Sequence, residues 1–254
     1  MNSEDEFLEI EAEGYKKGHN PVMGEFNRKF NFAPISYVNP NANKFKEEVR
    51  EAIADIQYLY FGEVKLEITT YCSEQKRLET SELADLDNYA KLLCDGLKGP
   101  QGILIDDTQI QSLSISWIDV NCQPYFEIYI KGHPDDFVLG PIALYEMPNG
   151  LFYPISARSW TKDGIKEMSE KHQRILLAVL HDRIGSSKEF RAELRKSGRS
   201  PTLAYENNRY VLPILSGLPK GRIVGSGFEI SYVKDWEPRI NPKEIVTKLK
   251  KHLP

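Results

Sequence analysis

Cysteine is scarce in this 254-residue chain, and the three present, Cys72, Cys94 and Cys122, never form a Cys-x-x-Cys pair. An odd, widely spaced set excludes a disulfide framework and the usual zinc-ligand spacing. No apolar run reaches the roughly 18 residues that a membrane-spanning helix needs, so no membrane partner is expected. The opening residues, MNSEDEFLEIEAEG, lack the basic-then-apolar order of a secretory signal. With free thiols, this leads to the expectation of a reducing, cytoplasmic setting. There is no internal repeat, low-complexity tract, Ser/His/Asp pattern or phosphate-cradling glycine motif. Histidine offers little: His172 and His181 are too far apart for paired ligation on one helix, and His133-Pro134-Asp135-Asp136 reads as a turn.

What is present is an ordinary globular composition, 41% hydrophobic and 28% charged, long enough for a core and a sizeable second region. The net charge of −4 is spread unevenly. Residues 1–24 carry about −4, 25–132 about −6 and 133–254 about +6. An acidic middle suits a metal-dependent enzyme, and the basic remainder suits a surface that faces phosphate; an uneven solvated surface is the plainer alternative.

Three parts are therefore expected: an acidic arm over 1–24, a core over 25–132 and a basic region over 133–254, divided at the turn near residues 131–134. Apolar residues at three- and four-residue steps predict a helix over 43–60, and alternation predicts a strand at 64–68. Residues 73–82 read as a loop. A central helix follows at about 86–98, ended by Gly99-Pro100-Gln101-Gly102. Alternation at 113–117 and 126–130 predicts two strands joined as a hairpin. The order implies an α/β or α+β fold with helices on one sheet face.

Beyond 133, short strands are expected at 142–145 and 150–155. A helix capped by Asp163 (164–183) and a second at 187–197 suggest a helix–turn–helix around Gly185. That pair would set Lys188, Arg191, Arg195 and Lys196 near phosphates, or simply pack as a helical pair. Further strands are expected at 210–215 and 223–233 around a basic loop at 219–222, then a last helix opened by Asn241 and Pro242.

The chemistry gathers at residues 83–117, LADLDNYAKLLCDGLKGPQGILIDDTQIQSLSISW. Mg²⁺ takes oxygen ligands, typically one or two protein carboxylates plus substrate phosphate. Asp85 precedes the helix and Asp87 lies in its first turn, so both can face one ion at the loop-to-helix junction. Lys91, one turn on, can reach a metal-bound phosphate. Asp106-Asp107 arrives at a strand end and can add a third carboxylate. Ordinary capping, and a surface ladder of Asp87, Lys91 and Asp95, remain the structural alternatives.

The string DLDNYAKLLCDGLKG…GILIDDTQI resembles the RusA family of Holliday-junction resolvases. The family's Asp-x-Asp-Asn, the lysine and aspartate at successive steps of four, and the strand ending in Asp-Asp fall on Asp85, Asp87, Asn88, Lys91, Asp95 and Asp106-Asp107. The likeness covers about residues 27–131. It implies a RusA-like mixed sheet and a Mg²⁺-dependent homodimeric endonuclease (Mn²⁺ as a substitute) that nicks four-way junction DNA symmetrically. By the same resemblance Asp85, Asp87 and Asp107 bind metal and Lys91 assists catalysis. Asp107 is the ligand if the turn before it holds one extra residue, and Asp106 if it does not. A nuclease for other branched DNA and a non-catalytic DNA-binding or assembly protein are the competing functions.

Overall fold

The computed structural model describes residues 19–20, 23–81, 85–134, 136–161, 163–198 and 217–252. It divides into two compact units, Met1–Gly140 and Pro141–Pro254. Most of the expected acidic arm and the expected strand at 210–215 lie outside the described residues.

The first unit runs β1 (His19–Asn20), β2 (Glu25–Phe30), α1 (Ala42–Ala52), β3 (Tyr58–Tyr60), β4 (Val64–Ser73), α2 (Glu74–Glu79), α3 (Leu86–Leu97), a 3-10 turn (Asp107–Gln109), β5 (Ile110–Val120), β6 (Tyr125–Lys131) and β7 (Phe137–Leu139). Five strands form one sheet in the order β1-β2-β6-β4-β5. Every second residue of β4 is buried, Val64, Leu66, Ile68, Thr70 and Cys72, as are Phe126, Ile128 and Ile130 of β6. Phe45 of α1 meets this face at Phe126, with ring centroids 6.0 Å apart, while Phe126 stacks on Phe30 at 4.5 Å. Helix α3 packs on α1 where Gly96 faces Val49; a Cβ at Gly96 would lie 3.2 Å from a Val49 methyl. The opposite face carries Tyr71 stacked on Tyr125 and the ammonium of Lys29 over the Tyr125 ring. This is an α+β fold.

Several expectations change. Strands β5 and β6 are not a hairpin: β5 pairs with β4 in parallel, and β6 pairs with β4 antiparallel on its other side. The most regularly buried strand takes the interior of the sheet, and serine-rich β5 takes the edge. A parallel pair needs a crossover, and α3 is part of it. The helix expected to reach residue 60 stops at Ala52, because Tyr58–Tyr60 pairs with Phe137–Leu139; strand pairing overrides the helical spacing of Ile53, Ile56 and Tyr60. That same pairing carries the first unit past the turn at 131–134. Residues 74–79, read as loop, form α2, capped by the Ser73 side chain.

The second unit runs β8 (Ile142–Glu146), β9 (Leu151–Ser156), β10 (Arg158–Thr161), β11 (Gly164–Glu167), α4 (Glu170–Lys196), β12 (Leu218–Pro219), α5 (Lys220–Ile223), β13 (Glu229–Ser231), α6 (Val233–Ile240) and α7 (Pro242–His252). Its four-stranded sheet has the order β12-β9-β8-β13, and β10 pairs with β11 separately. Met147, Tyr153, Leu177, Leu180 and Trp236 form its core, with the Trp236 indole donating to the Glu146 carbonyl at 2.8 Å.

No helix–turn–helix exists at 164–197. Residues 164–167 are a strand, Ser169 rather than Asp163 caps the helix, and α4 passes unbroken through Gly185 for 27 residues. The Ser186 hydroxyl donates back to the Asp182 carbonyl at 3.1 Å instead of capping a new helix. One helical glycine costs about 1 kcal/mol against alanine, too little to break a helix with turns packed on both sides. The basic loop at 219–222 is largely the short helix α5, and only Glu229–Ser231 of the strand expected at 223–233 is extended pairing.

Candidate active site

Helix α3 has two chemically distinct ends. At its start, Asp85 occupies the N-cap position with extended backbone, yet its side chain makes no capping hydrogen bond. Its carboxylate and that of Asp87 are exposed, and both sit where the helix dipole favours negative charge. The loop at 33–39 is tied to this first turn by the Tyr37 amide, which donates to the Asn88 carbonyl at 3.2 Å. Tyr37 thereby lies under Lys91, whose ammonium stands 3.7 Å from the ring centroid. Among the described ion pairs Lys91 joins neither Asp87 nor Asp95, so the surface ladder is not what these residues form.

At the other end, Lys98 Nζ lies 2.8 Å from Asp95 Oδ1 and 2.7 Å from Asp107 Oδ2. The return of the chain makes this meeting possible. The Ile103 and Leu104 amides both donate to the Leu97 carbonyl, and Gly99 adopts φ +98°. A Cβ on Gly102 would sit 2.1 Å from the Leu97 oxygen, so only glycine fits there. Burial alone would lower the Lys98 pKa, but the hydrogen bonds its ammonium donates to Asp107 and Asp95 outweigh it and hold the ammonium above its ordinary value. Its ammonium is therefore charged at neutral pH, and its share of the pairing is lost as pH rises through that raised value.

The two acids of the pair have different surroundings. Asp106 is buried at 6% exposure, and its Oδ1 accepts from the Thr108 amide at 3.0 Å and hydroxyl at 2.6 Å. Its carboxylate shapes the 3-10 turn. Asp107 keeps 29% of its side chain exposed. Behind both, buried Gln109 accepts from the Ile105 and Asp106 amides at 2.8 and 2.9 Å and donates to the Tyr60 and Gly62 carbonyls at 2.8 and 3.0 Å.

The structure thus brings Asp85, Asp87 and Lys91 to one end of α3, and Asp107 to the other. Asp87 and Asp95 are separated by about 12 Å of helical rise. Carboxylates sharing a Mg²⁺-type ion need oxygens within about 4 Å of one another. Among the described residues no three His, Cys, Asp or Glu side chains form a group able to hold a metal ion. Asp85 and Asp87 fit the donor chemistry of a hard cation, oxygen ligands with no thiol or imidazole, but the expected trio is not gathered within this one chain.

Residues 20–131 match the model of the family described as Endodeoxyribonuclease RusA. This stretch is a RusA-family domain. The match ends with β6 and takes in both ends of α3, and the RusA family is one of DNA-cleaving nucleases by its description. No curated protein matches the chain.

Three contributors to the RusA domain's site escaped the motif: Lys98, Tyr37 and Gln109. Only Lys98 left a sequence trace, three residues beyond Asp95 at a helix end. Cys94 also lies here, and burial pushes its thiol up to about 11, with Asp107 and Asp95 adding to the rise. Cys72 is buried too, and Cys122 is exposed. A thiol titration of native protein near pH 8 is expected to modify Cys122 quickly and the other two only after denaturation. Fast reaction of all three would contradict the burial.

Proposed function

We propose that the protein is a metal-dependent endodeoxyribonuclease that resolves four-way DNA junctions by paired symmetric hydrolysis of phosphodiesters, with a role in recombination and repair. The observation that carries this reading is the uncommitted acidic pair at the start of α3, an N-cap aspartate that does not cap, with Lys91 one turn away in a RusA-family domain. Mg²⁺, or Mn²⁺ in its place, would be held by Asp85 and Asp87; Asp107, which stands beside Lys98 at the other end of α3, would add a third carboxylate only if it were brought to the ion. When bound, such an ion polarises phosphate and lowers the pKa of a bound water.

The chain's own residues do the rest. Lys91 meets negative charge that grows on the reacting phosphate, and the Tyr37 ring lies 3.7 Å from its ammonium. Asp107 is favoured over Asp106 for the third position because Asp106 is spent on its own turn. Two buried thiols and no disulfide among the described residues suit a reducing, cytoplasmic setting.

The test is cleavage of a labelled four-way junction with Mg²⁺ and with Mn²⁺, beside flap and plain duplex substrates. Paired nicks at symmetric positions on the junction support the reading. Cutting of flaps alone would redirect the substrate, and binding without any cut would leave a non-catalytic role.

Symmetric nicking calls for two active sites, hence a homodimer. Edge strand β5 suits that contact: it is 11 residues long, among the described residues it pairs only with β4, and Leu113, Trp117 and Ile118 are each more than a third exposed. Light scattering is expected to give twice the chain mass for the wild type. Ile118→Lys is expected to weaken self-association by about a hundredfold, from the desolvation cost of a buried ammonium. An unchanged dimer in that variant would remove β5 from the contact.

A further inference from the structure

The second unit contains a basic hollow outside the RusA domain. On α4, Lys188, Arg191 and Arg195 follow one another at steps of three and four, which aligns them along one side of the helix. The β8–β9 turn presents Asn149, whose Nδ2 donates to the Tyr153 hydroxyl at 2.8 Å. With buried Ser187, these residues line a hollow of about 150 Å³. Among the described residues its lining holds three cations and no carboxylate; Glu189 and Glu193 of the same helix stretch are not part of it.

Its floor is fixed by packing. Tyr153 is 4% exposed, and a Cβ on Gly217 would come within 2.7 Å of its hydroxyl, so the ring is held from behind. Burial raises the Tyr153 phenol above its ordinary value, which keeps it neutral and able to donate; Arg191 acts in the opposite direction and lies within electrostatic reach. Guanidinium forks, an ammonium, an amide and hydroxyls together are donors suited to an oxyanion. Size narrows the choice. The hollow equals about five waters of liquid volume, well below the roughly 300 Å³ at which pockets for whole organic ligands begin.

We propose that this hollow is a binding site for a phosphate group, either a backbone phosphate of nucleic acid or the phosphate of a small phosphorylated molecule. It goes beyond the nuclease reading, since it requires neither metal nor cleavage.

The experiment uses the full chain in EDTA, so loss of nicking cannot be mistaken for loss of this site. Fluorescence anisotropy would follow binding of a labelled four-way junction and a plain duplex across a salt series. The variant pairs Arg191→Gln with Arg195→Gln, both at exposed positions, and its melting temperature checks the fold; Arg195→Lys serves as the conservative control. A second arm measures the melting temperature in inorganic phosphate against chloride at equal ionic strength.

If backbone phosphate is the ligand, the double variant binds both DNAs about tenfold more weakly and its salt slope falls by about one to two, with Arg195→Lys in between. If a small phosphorylated molecule is the ligand, DNA binding is unchanged, and phosphate raises the melting temperature of the wild type but not of the variant. No difference between wild type and double variant in either arm would overturn the proposal.

Discussion

On the proposed reading, replacing Asp85 or Asp87 by asparagine is expected to cut junction nicking by at least about a hundredfold with the fold intact, because each would remove a charged oxygen ligand from the proposed cation. Both side chains are exposed, and Asp85 makes no cap, so thermal stability should stay within about 0.5 kcal/mol of the wild type. Lys91→Ala is expected to lose about a hundredfold in rate while binding junction DNA almost normally, as fits a group that acts on developing charge. Asp107→Asn is the more informative variant. It lies beside Lys98 at the far end of α3, so its inactivity, with a normal melting curve, would support a third carboxylate recruited to the ion. Full activity in Asp107→Asn would leave Asp85 and Asp87 alone as protein ligands. Full activity in Asp85→Asn would dismiss the site.

The largest stability loss is expected from a residue with no chemical role. Gln109→Ala should cost about 3–5 kcal/mol, because one side-chain amide satisfies four buried backbone groups, two as acceptor and two as donor. Entry of water into the vacated space would offset part of the loss, which is why the sum stays below four full penalties. Gln109→Glu keeps the acceptor but aims a carboxylate at the Tyr60 and Gly62 carbonyls, so it should fare no better. Thermal melting of both variants is the measurement, with a fall of about 10 °C expected. A shift of only a degree or two would mean that the four hydrogen bonds are readily replaced.

Gln109 also illustrates what sequence reading reaches and where it stops. Alternation and helical spacing were enough for the strands at β4 and β6, for α3 and for the α7 start at Pro242, because local burial patterns wrote themselves into residue order. Asp85, Asp87 and Lys91 stand together at one helix start for the same reason, while the roles given to them rest on the resemblance to the family. Pairing partners were not. Nothing in Leu113, Ile115 and Trp117 tells whether their neighbour is β6 or β4, and the nearer strand in sequence was the wrong one. Tyr58–Tyr60 was claimed by a helix because its strand partner lies more than 70 residues away. Gly185 read as a turn because a single residue looks like punctuation, while the burial of Ser187, Leu177 and Leu180 that keeps α4 whole is a tertiary fact. Tyr37 reaches Lys91 through folding alone.

The parallel pairing of β4 with β5 has a kinetic consequence. Every residue of the candidate site from Asp85 to Asp107 lies on the chain between those two strands. Closing them joins Val64–Ser73 to Ile110–Val120 over a long loop, and such non-local closures are reached late, after hairpin-like neighbours have formed. Helix α3 therefore lies inside a loop that closes only when β5 pairs with β4. In reverse, a transient peeling of β5 from the sheet edge would release Asp107 first, while Phe30, Phe45 and Phe126 still hold the aromatic core together.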